Sequence, residues 1–316
     1  MGIYSETVHD TAMVAGTMNL TEEARSAWGG FLNNQGNRGH AGRADQGREL
    51  DEYFQLALAS ARETVAMVAR ELPEAQPHKI LEIGSSTGVN CLALQQHYPS
   101  ADVIGLEPES EAVEVAQQLA KMCGDPQPSF MCGVGEDIPL AAQSVDLIVC
   151  STVIEHVYDV EEVIMEMGRV LRPGGNIYLA APNYVWPKEP HLKIWGLPLL
   201  GKPLLRLAAR LQGKTEQIGF LDHLQLVTPW KIERSFRAAG LSYTNYNKIK
   251  ALRVMESNES VKAYQKVRTL LLFLNRLGIA KLVVGLAISV GFYPSLLYFA
   301  KQPLTPEQLE EGGRRG

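Results

Sequence analysis

Cysteine is scarce and carries no pattern. Cys91, Cys123, Cys132 and Cys150 form no C-x-x-C pair, so neither a thioredoxin-type redox centre nor a zinc ribbon is written into the chain, and buried, reduced thiols are expected. An excess of charge of one sign is also missing. Thirty Lys and Arg stand against 35 Asp and Glu, which leaves no basic field of the kind that nucleic-acid binding requires, and no nucleic-acid partner is expected. The opening MGIYSETVHD has no basic stretch followed by an apolar one, and Glu6 stands where a myristoylation signal requires Ser or Thr. A cytoplasmic address is the expectation. No repeat of fixed period is present, and no group of Asp, Glu and His has metal-ligand spacing along the chain, so no metal is expected.

What is present is alternation. Residues 1–76 read as an extension: GGFLNNQGNRGHAGRADQG holds six glycines between Gly29 and Gly47, which predicts loose order up to residue 47. An amphipathic helix follows, with Leu50, Phe54, Ala57, Ala61, Val65, Val68 and Leu72 at three- and four-residue steps until Pro73 stops it. From residue 79, short apolar runs alternate with helical ones. Strands are predicted at 79–83, 102–107, 129–133, 145–150 and 176–181, with helices at 109–121 and 159–171, the latter closed by RPGG at Arg172 to Gly175. Strict alternation gives a parallel sheet covered on both faces, a doubly wound α/β domain over residues 77–250 that ends in a helix at 229–239 and a strand-like LSYTNYNKI. Residues 251–293 read as an apolar helical insertion, and 294–316 as one more strand, PSLLYFAKQP, with a tail.

In an open parallel sheet, ligands sit beyond the carboxyl ends of the strands, and the stretch LEIGSSTGVN, Leu81 to Asn90, puts a glycine turn at the first of them. The dinucleotide fingerprint G-x-G-x-x-G lacks its second and third glycines here, and no Gly-Lys-Ser/Thr follows as in a phosphate-binding loop. Further motifs follow in order: GLEP from Gly105 to Pro108, GVGEDIPL at 133–140, SVDLIVCSTVIEHV at 144–157 and LRPGGNIYLAAPN at 171–183. Together these motifs resemble those of class I S-adenosylmethionine-dependent methyltransferases, with Ser86 in place of the middle glycine of E/D-x-G-x-G-x-G. The resemblance runs from about 79 to 250.

The resemblance implies a Rossmann-like, seven-stranded sheet with S-adenosylmethionine at its carboxyl edge. It implies that Glu82, Gly84, Ser85 and Gly88 meet the methionine end, and that Glu107, followed by Pro108, accepts both ribose hydroxyls. An acid at 107 also suits NAD; the glycine spacing separates the two cofactors. Val134 replaces the family's Asp, which shifts adenine recognition to Gly135 and to Glu136 or Asp137, while Ser151 lines the same crevice. His156, just past the fourth strand, is the candidate base, because imidazole titrates in the useful range. Its alternative role is to fix the loop. The loop PNYVWPKEPHLKIWG offers Asn183, Tyr184, His191 and Trp195 to an acceptor, and His223 in LDHLQLVT reads as structural. The reading is methyl transfer to a small, apolar or lipid-linked acceptor, with O-methylation foremost. C- or N-methylation, a non-catalytic S-adenosylmethionine-binding scaffold and a nicotinamide oxidoreductase are the alternatives.

Two segments suggest lipid. In KPLLRLAARLQGK, Lys202, Arg206, Arg210 and Lys214 recur every four residues beside a leucine face, which suits either an anionic membrane surface or ordinary packing. Leu282 to Ala300 holds no charge over nineteen residues, the length of a membrane span. Pro294 and two glycines interrupt it, so a lipid-facing insertion, a homodimer contact or a buried helix are its other readings.

Overall fold

A computed structural model of the chain describes residues 18–35, 49–215, 218–247, 249, 274 and 276–305. The glycine-rich loop after residue 35, most of the expected insertion (251–273) and the tail after 305 lie outside the described residues.

The elements follow the alternation. They run α1 (Glu22–Gln35), α2 (Leu50–Glu71), β1 (Lys79–Ile83), α3 (Val89–His97), β2 (Asp102–Glu107), α4 (Ser110–Ala120), β3 (Ser129–Cys132), β4 (Val145–Ser151), α5 (Val160–Val170) and β5 (Leu171–Pro182). After these come a small hairpin of β6 (Lys188–Glu189) and β7 (Ile194–Trp195), α6 (Lys202–Leu211), α7 (Pro229–Ala238), β8 (Ser242–Asn245), α8 (Ala280–Ser289) and β9 (Ser295–Lys301). The main sheet has seven strands in the order β3-β2-β1-β4-β5-β9-β8. The first five are parallel, and β9 runs antiparallel to both β5 and β8. This is the expected Rossmann-like α/β architecture.

Central strands must bury both faces, so they are almost wholly apolar: four of the five residues of β1 are buried, and the four inner residues of β2. One face packs under α5 and α7 with Ile83, Ile148, Ile164, Met167 and Phe236. The other packs under α1 to α4 with Phe54, Leu58, Leu92, Leu119 and Tyr178. α5 starts where Asp159 accepts from the backbone of Glu161 (2.7 Å) and Glu162 (3.2 Å), and α7 where Thr228 accepts from Lys231 before Pro229.

Three expectations need correcting. The span 1–47 contains a helix: Ala24, Trp28, Phe31 and Leu32 form a buried stripe at helical spacing, and Gly29 and Gly30 lie within it. α5 ends at Val170, just before RPGG as expected, but RPGG already belongs to the next strand. The strand begins at Leu171, Gly174 donates to Gln302, and the pairing jumps from Val145–Leu171 to Leu147–Asn176, so the two glycines form an irregular strand entry. As expected of an insertion followed by a last strand, the apolar run 282–300 is divided between α8 and β9, and among the described residues no helix is long and apolar enough to cross a membrane. Cys91 and Cys150 are buried as expected, but Cys132 is exposed.

Candidate active site

Register brings three strand exits to one level. Ile83 at the end of β1 pairs with Leu106 on one side and with Cys150 on the other, so the turns after β1, β2 and β4 open together where the strand order reverses.

The first turn is held by its backbone. Gly84 and Ser85 both donate to the Leu106 carbonyl (2.8 and 3.1 Å), and Gly88 donates to Ser85. Gly84 (φ 68°) and Gly88 (φ 80°) are left-handed, and neither has room for a side chain: a Cβ on Gly84 would lie 2.3 Å from Val153, and one on Gly88 2.6 Å from Phe130. Ser86, which replaces the motif's middle glycine, is left-handed as well (φ 48°). That costs it about 1–2 kcal/mol, partly offset because its N–H donates to Glu107 Oε2 at 2.8 Å.

Glu107 ends β2 beside this turn and also accepts from Glu109 N (3.2 Å). Burial pushes its carboxyl up, against those two backbone bonds. Each oxygen keeps a further lone pair for a diol. Pro108 beyond it is exposed. Gly135 is buried with Val163 3.1 Å from a would-be Cβ, and Asp137 is exposed. Glu136 accepts from Tyr158 N (2.7 Å) and Asp159 N (3.2 Å), so its carboxylate braces the loop after β4.

Glu82 lies beneath the turn with both oxygens engaged, by Asn90 Nδ2 (2.7 Å) and the Cys91 thiol (2.9 Å). Burial raises its carboxyl to about 7 despite those two bonds. An unfolded chain releases that proton near 4.5, so between the two values the folded state holds the extra proton and stability falls as pH rises, levelling above 7. Glu82→Gln cannot ionise. Its stability relative to the parent is expected to rise by about 3 kcal/mol between pH 4 and pH 8 in denaturant titrations; parallel pH profiles would show that Glu82 ionises as easily folded as unfolded.

Helix α1, absent from the sequence-level reading, closes over the same turn. Trp28 Nε1 donates to Thr87 Oγ1 (3.1 Å) while its ring stacks on Tyr53 and meets the edge of Phe54.

The opposite wall is the exit of β4. Ser151 is partly buried, and Thr152 takes φ 57° while donating its N–H to Ala180. Glu155 is fully buried; its Oε1 lies 3.8 Å from His156 Nε2 and 4.0 Å from His191 Nε2. His191 comes from the β6–β7 hairpin. Its Nδ1 is 2.6 Å from the buried Glu189, which also accepts from His191 N (3.0 Å) and Leu192 N (2.6 Å). Phe220 rests against both imidazoles. Tyr184 is buried near Glu189 and Glu155; burial foremost, then the two carboxylates, push its phenol well above the ordinary range.

Of the expected acceptor residues, His191 is thus at the wall. Asn183 is 2% exposed and points away, its amide donating to the carbonyls of Gly291 (2.7 Å) and Tyr293 (2.6 Å), so it pins the approach to β9. Trp195 and His223 are exposed. Glu155 and Glu189 were missed. Glu155 sits inside a quoted motif, but nothing in the sequence signals that it meets a histidine from a distant hairpin, so the expectation that no Asp, Glu and His gather at metal-ligand spacing fails in three dimensions.

Residues 81–179, which hold the turn, Glu107 and the β4 exit, match the family described as methyltransferase domain. The chain carries a class I S-adenosylmethionine-dependent methyltransferase domain. This methyltransferase is 28% identical over 200 residues to a ubiquinone biosynthesis O-methyltransferase of Mesorhizobium japonicum, covering 62% of the chain and 74% of that relative. It is 32% identical over 144 residues to a malonyl-[acyl-carrier protein] O-methyltransferase of Alcanivorax borkumensis, covering 45% and 46%. The crystal structure of the [4+2]-cyclase SpnF has the same fold, with a TM-score of 0.50 at 14% identity over 89% of this chain and 96% of that one. The cofactor of the family is S-adenosylmethionine, and the turn fits it: the left-handed turn leaves backbone where side chains would stand, and Glu107 lies beside it at the end of β2. An enzyme, not a scaffold or a nicotinamide oxidoreductase, is therefore the reading that stands.

Proposed function

We propose that this methyltransferase moves the methyl group of S-adenosylmethionine to a hydroxyl oxygen of a small, apolar or lipid-linked acceptor. The observation that carries the oxygen is the pair of imidazoles of His156 and His191, backed by Glu155 and Glu189, at the exit of β4. The acceptor oxygen attacks the methyl carbon as the carbon–sulfur bond breaks, and S-adenosylhomocysteine leaves; the hydroxyl proton passes to the histidine cluster. A sulfonium methyl needs alignment above all, and a base only when the acceptor has a proton to lose. Two O-methyltransferases among the relatives support the same reading.

The backbone of Gly84 to Gly88 would hold the cofactor's methionine end and Glu107 its ribose, with Ser151 lining the crevice. Glu107→Ala is expected to weaken S-adenosylmethionine binding by about 1–3 kcal/mol in calorimetry, since two hydroxyl partners go; unchanged affinity would remove Glu107 from the site.

The apolar acceptor rests on the surface that continues from the hairpin of His191. Trp195, Leu197, Leu200, Leu207 and Leu211 are all more than 45% exposed. The basic row beside them is partly spent inside the protein: Lys202 donates to the Asp222 carbonyl (2.7 Å) and Arg206 pairs with its carboxylate. Hydrophobic area, more than positive charge, is what this side offers a lipid. The deciding experiment is transfer of labelled methyl from the cofactor into a fractionated lipid and metabolite extract, with the bond to the methyl identified by mass spectrometry. Label on nitrogen or carbon, or only in the most water-soluble fractions, would overturn the assignment.

A further inference from the structure

We propose that Glu155, His156 and His191 form a binding site for a divalent first-row transition-metal ion. Donor atoms of the three lie within 4.8 Å of one another. Glu155 Oε1 is 3.8 Å from one imidazole Nε2 and 4.0 Å from the other, beyond direct hydrogen bonding in both cases. Ligands of a tetrahedral ion with bonds of 2.0–2.1 Å lie about 3.3 Å apart, so from separations within 4.8 Å the donor atoms have to approach one another by no more than about 1.5 Å to close the site.

His191 is already set for this role. Glu189 receives two backbone N–H groups and the ring Nδ1, and a carboxylate so engaged can only accept. The ring hydrogen therefore sits on Nδ1, and the Nε2 lone pair faces Glu155. A carboxylate that orients a histidine whose other nitrogen holds a metal is the usual outer shell of such sites. The fully buried Glu155 supplies the negative charge, and His156, 37% exposed, stands at the solvent side of the cluster.

Two nitrogens and one oxygen suit zinc or cobalt and not magnesium, which prefers all-oxygen octahedra. Three protein ligands leave a position open. If the O-methylation reading holds, that position would take the acceptor hydroxyl and the ion would lower its pKa, its proton leaving to solvent because both imidazoles are then ligands; binding of the ion itself does not depend on that reading.

The test uses the full chain, stripped by chelator and dialysed, titrated calorimetrically with Zn2+, Co2+ and Mg2+ without acceptor. One equivalent of Zn2+ or Co2+ is expected to bind, with visible d–d absorption from cobalt. His191→Ala should lower affinity at least a hundredfold and Glu189→Gln about tenfold or more, each checked for folding by circular dichroism. Glu155→Gln is buried and risks misfolding, so the hairpin variant His191→Ala carries the test. No stoichiometric Zn2+ or Co2+ binding, binding unchanged in His191→Ala, or tighter binding of Mg2+ would overturn the site. Loss of the site with methyl still delivered to oxygen would leave the O-methylation reading standing; a metal-loaded chain that methylates only nitrogen or carbon would do the reverse.

Discussion

His156→Ala is expected to lower turnover by about a hundredfold or more while S-adenosylmethionine affinity stays within about twofold. The split follows from position. On the proposed reading the cofactor is anchored by the turn after β1 and Glu107, whereas His156 stands past the end of β4 with its Nε2 toward Glu155 and its ring against His191 and Phe220. Whether the imidazole takes the acceptor proton itself or holds an ion that ionises the hydroxyl, its removal acts on the chemical step. His191→Ala should cost a similar factor, and the double variant little more than either single one, because groups that act as a unit do not add. Single-turnover rates with saturating cofactor are the measurement. Undiminished rates in both single variants would end the proposal that oxygen is methylated with help from this wall.

Gly84→Ala is expected to destabilise the protein by about 3 kcal/mol or more in denaturant titration. Two costs combine there. A left-handed alanine forfeits about 1–2 kcal/mol, and its Cβ would lie 2.3 Å from one Val153 methyl and 2.7 Å from the other, an overlap worth about 1–3 kcal/mol. The costs are separable. Val153→Ala removes the two closest carbons and leaves the Val153 Cβ at 3.1 Å, so the pair Gly84→Ala and Val153→Ala should recover most of the overlap and retain the backbone cost. Cofactor affinity should also fall by at least about tenfold in the single variant, since the turn must shift. A Gly84→Ala chain as stable as the parent would mean that the turn is looser than its tight contacts indicate.

The sheet was legible because its central strands are buried on both sides and read as apolar runs such as KILEI and DVIGLE. The turn at Gly84 was legible because only certain residues tolerate its conformation. Helix α1 was hidden by Gly29 and Gly30, although Ala24, Trp28, Phe31 and Leu32 already carried a helical stripe; glycine content outweighed periodicity where periodicity was right. Asn183 was misplaced because an amide in a proline-rich loop looks the same in sequence whether it meets a ligand or two carbonyls. The histidine wall was half legible. His156 follows a strand and could be placed, but the approach of His191 is decided by a hairpin and by Glu189, a tertiary matter that no local pattern encodes.

The indole of Trp28 ties the amino-terminal helix to Thr87 in the glycine turn. The rim of this turn is thus made in part from a segment outside the sheet. On the proposed reading, a change in that helix would be felt at the place where the methyl donor is held.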